Sequence, residues 1–157
     1  MNADDAPSAQ AGYSSTPQAR KLGLKPAMRV CLDEAPPGWM LDSPPPDIHI
    51  VHLADVHLAD VHPADVHPPE LPELVVAFFR RAEELAERLP SLSASIFPTG
   101  ALWIAWPRKA AGHISDLGDS VIRETALSFG IVDVKVAALD SDWSALKFVW
   151  RVENRVS

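Results

Sequence analysis

The sequence predicts an α/β fold in which a mostly parallel sheet, with helices on its faces, ends in an antiparallel pair of strands. Three observations predict it. Leu74-Val75-Val76-Ala77-Phe78-Phe79 is a continuous apolar run of the kind a buried parallel strand shows. From residue 74 onward the order reads strand, helix, strand, helix, strand, strand, which requires helices packed against a sheet. The last two strands are joined only by Asp140-Ser141-Asp142-Trp143-Ser144, a connection too short for a crossover, so they run antiparallel.

Element by element, residues 1–12 read as a leader outside the fold, and one α/β domain is expected over 13–155. Ser15 or Thr16 caps a short helix with Pro17 in its first turn and Gly23 past its end. Met28-Arg29-Val30-Cys31-Leu32 follows as a first strand, broken by Ala35-Pro36-Pro37-Gly38, and Ile48–Leu53 is a second. After the apolar run, Arg81–Leu89 and Pro90–Ile96 predict two helical segments that lead to the turn Phe97-Pro98-Thr99-Gly100. Ala101–Trp106 is the next strand, stopped by Pro107. Ser115 or Asp116 caps a helix through Phe129, ended by Gly130, and strands over Ile131–Leu139 and Leu146–Val152 complete the chain.

The bulk numbers narrow the function classes. With 157 residues the chain can bury a core without metals or disulfides. Fourteen of its 15 prolines precede residue 101, which places the irregular structure in the first part. The net charge is −7, and residues 1–100 hold 7 basic against 14 acidic side chains while residues 101–157 hold 7 of each. No basic stripe is left for a nucleic-acid backbone. Cys31 is the only cysteine, which rules out an intrachain disulfide and fits a reducing, cytoplasmic setting. No basic-then-apolar leader and no apolar run near the ~20 residues of a membrane span are present, so no membrane partner is expected.

Residues 54–72 form a loop rich in Pro and His. Val51-His52-Leu53-Ala54-Asp55 recurs as Val56-His57-Leu58-Ala59-Asp60 and, with one change, as Val61-His62-Pro63-Ala64-Asp65. The histidines raise a metal hypothesis, with His57 and His62 as ligands. A five-residue step gathers side chains at one point on neither a helix nor a strand, so repeat expansion in a tolerant loop is the competing and simpler reading. Three copies are too few for a pentapeptide solenoid.

Several stretches together carry a resemblance. They are Gly12-Tyr13-Ser14-Ser15-Thr16-Pro17 with Lys21-Leu22-Gly23, Gly100-Ala101-Leu102-Trp103-Ile104-Ala105-Trp106-Pro107-Arg108-Lys109, Asp116-Leu117 with Arg123-Glu124, and Val132-Asp133-Val134-Lys135-Val136 with Trp143-Ser144 and Lys147. Over Gly12–Arg155 the chain resembles a bacterial family, common in actinobacteria, catalogued only as a domain of unknown function. The likeness implies a Rossmann-like fold and names no reaction. Where that family usually has Ser, Cys and Gly, this chain has Ala111, Ala137 and Ala145, which argues against an obligatory Ser or Cys nucleophile there. Residues 74–152 are also similar in element order to class I S-adenosylmethionine methyltransferases, whose sheet ends in a reversed strand. Phe97-Pro98-Thr99-Gly100 resembles the Pro-Gly-Gly turn of those enzymes.

Against a working cofactor site, the first strand runs into Asp33-Glu34-Ala35-Pro36-Pro37, which offers no G-x-G and lacks two N–H donors. No cofactor is therefore expected. The candidate ligand-binding residues are Asp33 at that strand end, Trp106, Arg108 and Lys109 at the end of a later strand, Asp116 at a helix start, and Trp143. Arg108 and Lys109 would hold an anion. Asp133 and Lys135 are expected on one sheet face as an ion pair, Arg123 as an ion-pair member on its helix, and His113 as a lone loop histidine. No nucleophile–base or paired-carboxylate arrangement can be assembled. The sequence thus points to a module that binds a small anionic ligand or a protein partner without catalysis of its own. The alternative is a divergent S-adenosylmethionine-dependent methyltransferase.

Overall fold

The computed structural model describes residues 18–51, 71–108 and 115–155. The pentad copies with His57 and His62, and Lys109 and His113, lie outside them. In chain order the described elements are α1 (Gln18–Leu22), β1 (Arg29–Asp33), β2 (His49–Ile50), β3 (Leu74–Phe78), α2 (Ala82–Ser95), β4 (Ala101–Pro107), α3 (Asp119–Leu127), β5 (Ile131–Ala138), β6 (Trp143–Trp150) and a closing 3₁₀ turn (Val152–Asn154).

The strands form one mixed six-stranded sheet in the order β2-β1-β3-β4-β6-β5. β1 pairs parallel with β2 and β3, and β3 with β4, but β6 runs antiparallel to both β4 and β5. The expected mostly parallel sheet is corrected to a mixed one because β6 inserts between β4 and β5 instead of adding at the edge. It therefore contributes two antiparallel pairings. The strand expected over Ile48–Leu53 is described only at His49–Ile50.

Every residue of β3 is buried, and so is β4 from Leu102 to Pro107. Such strands need cover on both faces, and alternate side chains feed two cores. On one face Val75, Ala77, Leu102, Ile104, Leu146 and Phe148 meet Leu85, Leu89 and Leu92 of α2 and Ile122 and Ala126 of α3. On the other, Val76, Phe78, Trp103 and Ala145 meet Leu22 of α1 and the segment carrying Trp39 and Leu41. The short helix α1 is docked by polar groups as well. The Trp103 indole donates to the Leu22 carbonyl at 3.1 Å, Gln18 Nε2 to the Leu139 carbonyl at 3.1 Å, and Lys21 Nζ to the Ala138 carbonyl at 2.9 Å.

Local structure departs from the sequence expectations at four places. Pro90 sits inside a single helix α2 instead of starting a second one. The carbonyl of Ala86, which loses a partner there, is on the exposed side, while Leu85, Leu89 and Leu92 keep burying the opposite side. The cap of α3 is Gly118, not Ser115 or Asp116. Asp116 Oδ1 instead accepts the Ala82 N–H at 2.9 Å and caps α2, and Ser115 Oγ donates to the Arg80 carbonyl at 2.7 Å. Trp143 is the first residue of β6, not part of the connecting turn. Asp140 Oδ1 accepts the N–H groups of Asp142 and Trp143, both at 2.8 Å, and so tightens the turn ahead of it. Finally, Asp133 and Lys135 do not pair. A bulge at Val134 shifts the register, so Asp133 stands opposite Phe148 while Lys135 stands opposite Lys147. Phe148 and Lys147 are consecutive and point to opposite faces, which separates the two charges. Asp133 is met by Arg123 at 2.9 Å, and Arg123 also reaches Asp119 at 3.1 Å.

Gly130 links α3 to β5 at φ +86°, and a Cβ there would stand 3.0 Å from Trp150 Cζ3 and 3.2 Å from Asn154 Nδ2. Gly130→Ala is expected to cost about 1–2 kcal/mol from the left-handed backbone alone. Gly118→Ser, in open space at a helix cap, is expected to stabilise slightly, by roughly a few tenths of a kcal/mol. Urea unfolding of both variants checks the pair, and equal effects would contradict the assignment of the two turns.

Candidate functional site

The parallel strands β1, β3 and β4 end on one edge of the sheet, at Asp33, Phe78 and Pro107. Because β6 is reversed, it begins on that same edge, with Trp143 in register with Pro107. The chain leaves β1 toward β2 on one side, and β3 leads to β4 on the other. The boundary between β1 and β3 is therefore a point where the winding of the sheet reverses, the place at which open α/β sheets bind ligands.

A cleft of about 430 Å³ opens there. Its aromatic floor is built from Phe78 and Trp143, whose ring centroids are 5.0 Å apart at 88°, with Trp39 packed on Phe78 at 4.9 Å. Trp39 is held in turn by its indole N–H, which donates to Asp140 Oδ2 at 3.0 Å. Arg80, two residues beyond the end of β3, lies over the Trp143 ring with its guanidinium carbon 5.1 Å from the centroid. From α2, Glu84, Glu87 and Arg88 share one helical face at i, i+3 and i+4 spacing and line the same cleft, and Glu34 lines it from the end of β1.

Asp33 and Arg88 join the β1 end to α2 by an ion pair, and the Arg88 guanidinium also stands 5.5 Å from the Phe79 ring centroid. Only 13% of the Asp33 side chain is exposed. Burial raises its pKa above the ordinary carboxylate value, and the charge and hydrogen bond of Arg88 offset this only in part. The next residue, Glu34, has φ +57°. A left-handed turn thus stands where a dinucleotide-type site places glycine, but a side chain occupies it. Among the described residues no helix follows β1, so no N-terminal turn of N–H groups faces the cleft from that side.

The candidate residues named from sequence divide accordingly. Asp33 and Trp143 belong to the cleft and its rim. Trp106, 9% exposed, points into the core beneath α2 and α3. Arg108 donates to the Asp140 carbonyl at 3.2 Å, and its own N–H to the Asp142 carbonyl at 2.8 Å, so it braces the β5–β6 turn. Asp116 caps α2, as described above. Lys109, His57 and His62 lie outside the described residues. Among the residues described, no group of three His, Cys, Asp or Glu is placed to hold a metal ion, and no helix is long and apolar enough to cross a membrane. The sequence reasoning missed Arg80, Arg88, Glu84 and Glu87. The signal was available for Arg80, because the rule that points to Arg108, a basic residue just past a buried parallel strand, applies equally to it.

No family model and no curated protein matches the chain, so neither comparison supports the family membership expected from the sequence. Solved structures do share the fold. A possible exported protein from Bordetella parapertussis superposes with a TM-score of 0.51 at 16% identity over 85% of this chain. The chain spans 64% of that protein's length. The Methanococcus jannaschii fibrillarin pre-rRNA processing protein superposes with a TM-score of 0.50 at 12% identity, over 89% of this chain and 74% of its own. At such identities the likeness speaks for the fold alone.

The Asp33–Arg88 pair generates a prediction with a definite sign. The raised Asp33 pKa means the folded state holds its proton more tightly than the unfolded chain. Its contribution to stability is thus fully present below the unfolded carboxylate pKa and is lost as the pH rises through the folded one. Asp33→Asn keeps an acceptor for Arg88 without the desolvated charge and is expected to be neutral or stabilising at neutral pH. Arg88→Met strands the buried carboxylate and is expected to cost about 1–3 kcal/mol. Urea unfolding at acidic and neutral pH checks both. A larger loss for Asp33→Asn than for Arg88→Met would contradict the account.

Proposed function

We propose that the chain is a Rossmann-like ligand-binding module without catalysis of its own, and that its ligand is a small zwitterion, with an amine and a carboxylate on an apolar body. The observation that carries this is the cleft at the winding reversal. It combines the aromatic floor of Phe78 and Trp143 with guanidinium groups from Arg80 and Arg88 and carboxylates from Glu34, Glu84 and Glu87. A lining of both signs over an apolar base matches a ligand of both signs, and the volume lies within the usual range for small-molecule sites, about 300–1,000 Å³. An anion alone would face three carboxylates against two guanidinium groups, one of them already paired with Asp33. Among the described residues the cleft holds no nucleophile beside a base. A cytoplasmic setting is part of this reading.

A divergent methyltransferase is the second reading. Two observations favour it: the reversed strand set between two others at the end of the sheet, and the fold likeness to fibrillarin. Against it stand the side chain at Glu34, the prolines after it, and the Asp33–Arg88 pair, which holds the acidic group at the β1 end.

Four probes on isotope-labelled full-length protein separate the readings: phenylalanine, phenethylamine, phenylpropionate and S-adenosylmethionine. Phenylalanine is expected to shift the amide signals of Phe79, Arg80, Glu84 and Glu87 more than the amine or the acid alone, and Glu87→Lys to weaken that response. Absence of any response at those amides would remove the zwitterion proposal. Saturable S-adenosylmethionine binding tighter than about 100 μM, roughly 5.5 kcal/mol, would favour the enzyme.

A further inference from the structure

Two guanidinium groups line the cleft at the winding reversal, and they are held in different ways. Arg88 is committed to an internal partner. Its ion pair with Asp33 ties α2 to the end of β1, and its guanidinium stands 5.5 Å from the Phe79 ring centroid. A guanidinium paired with a carboxylate gives N–H donors to that partner. Arg80 is held by a ring instead. Its guanidinium carbon lies 5.1 Å from the Trp143 centroid, and an attraction between a cation and a π face uses none of the five N–H donors.

The fold fixes where Arg80 stands. The Phe79 N–H donates to the Ala105 carbonyl at 3.0 Å, which carries the pairing of β3 with β4 one residue past Phe78, and the Arg80 carbonyl accepts from Ser115 Oγ at 2.7 Å. Phe79 turns into the core beneath α2, and Arg80 returns to the side of the sheet where Phe78 and Trp143 pack. Trp143 is in turn held edge-on by Phe78 and is only 5% exposed. The guanidinium seated on the ring, more than the ring itself, therefore faces the cleft. The remaining charged lining is acidic and comes from other elements, with Glu84 and Glu87 on α2 and Glu34 at the end of β1. Of these, Glu84 is bridged to Arg81 at 3.4 Å.

We propose that Arg80 is the specificity-determining residue of this cleft: it receives the ligand's carboxylate, while Glu34 and Glu87 receive the amine. The proposal rests on the zwitterion reading and adds to it which group selects the acid end. A guanidinium fork matches a carboxylate with two parallel N–H bonds. One already seated on a ring gives up less side-chain freedom on binding than one that is not. The sign of the charge also separates ligands: an amine without a carboxylate is attracted by the glutamates and repelled by Arg80, so its affinity depends on Arg80 in the opposite direction.

The test is titration of the isotope-labelled full chain with phenylalanine, phenylpropionate and phenethylamine, with affinities read from the amide shifts of the cleft. It is run on the natural protein and on Arg80→Gln, Arg80→Lys and Arg88→Gln. Arg80 is exposed, so both of its variants should keep the amide spectrum of the folded chain away from the cleft. In Arg80→Gln, phenylalanine and phenylpropionate are expected to bind at least about tenfold more weakly, or 1.4 kcal/mol. Phenethylamine, relieved of a repelling charge, should bind that variant at least as tightly as the natural protein. Arg80→Lys keeps the charge and loses the fork, and its affinity for phenylalanine should fall between the two. An equal loss for all three ligands in Arg80→Gln would make Arg80 a prop for Trp143 and overturn the proposal. So would a preference for carboxylates that is lost in Arg88→Gln and kept in Arg80→Gln. In both of those outcomes phenylalanine still binds the natural protein and the zwitterion reading stands, whereas no binding of any probe to the natural protein would remove both.

Discussion

The architecture depends on the insertion of β6, antiparallel, between β4 and β5. That one pairing decides what stands at each edge of the sheet. A strand entering in reverse starts where its parallel neighbour ends, so Trp143 comes to lie beside Pro107, at the edge where β1 and β3 also end. The aromatic floor of the cleft follows from it. At the far end of the same strand the Trp150 indole donates to the Ser93 carbonyl at 2.9 Å and packs edge-on against Phe97, which fixes the end of α2. Between the two tryptophans, Lys147 is set opposite Lys135.

Both faces of the central strands must be covered, and the two faces are covered differently. α2 and α3 close one with a conventional apolar contact, where Leu85, Leu89 and Ile122 are completely buried. The other is closed by a five-residue helix and an irregular segment. Five residues are too few for a helix to be stable alone, so α1 depends on the bonds that tie it down, from the Trp103, Gln18 and Lys21 side chains. Among the described residues no buried side-chain polar atom is left without a partner, which is what permits polar docking in a buried layer. The cleft lies where the apolar and polar modes of closure meet.

What the sequence made legible, and what it hid, follows the same division. β3 and β4 could be read because burial on both faces writes a continuous apolar run, and α3 because Ile122 and Ala126 recur at helical spacing. The antiparallel C-terminal pair could be read from its short connection. Its place inside the sheet could not, since loop length fixes the relation of β5 to β6 but not the neighbour on the other side of β6. The bulge at Val134 and the Asp116 cap on α2 depend on partners 15 and 34 residues away, and no local pattern records them. Pro90 misled for the reverse reason: a local rule was overridden by the leucines around it. The cleft escaped because its charged residues, Glu84, Glu87 and Arg88, look from sequence like an ordinary solvated helix face.

The central claim is therefore that β6 lies between β4 and β5, and backbone nuclear Overhauser contacts test it most directly. In labelled protein, Ala145 and Leu146 should show cross-strand contacts to Ala105 and Ile104 on one side and to Ala137 and Val136 on the other. Contacts from Ala145 and Leu146 to β5 alone, leaving β6 as the outer strand of a simple hairpin, would contradict it.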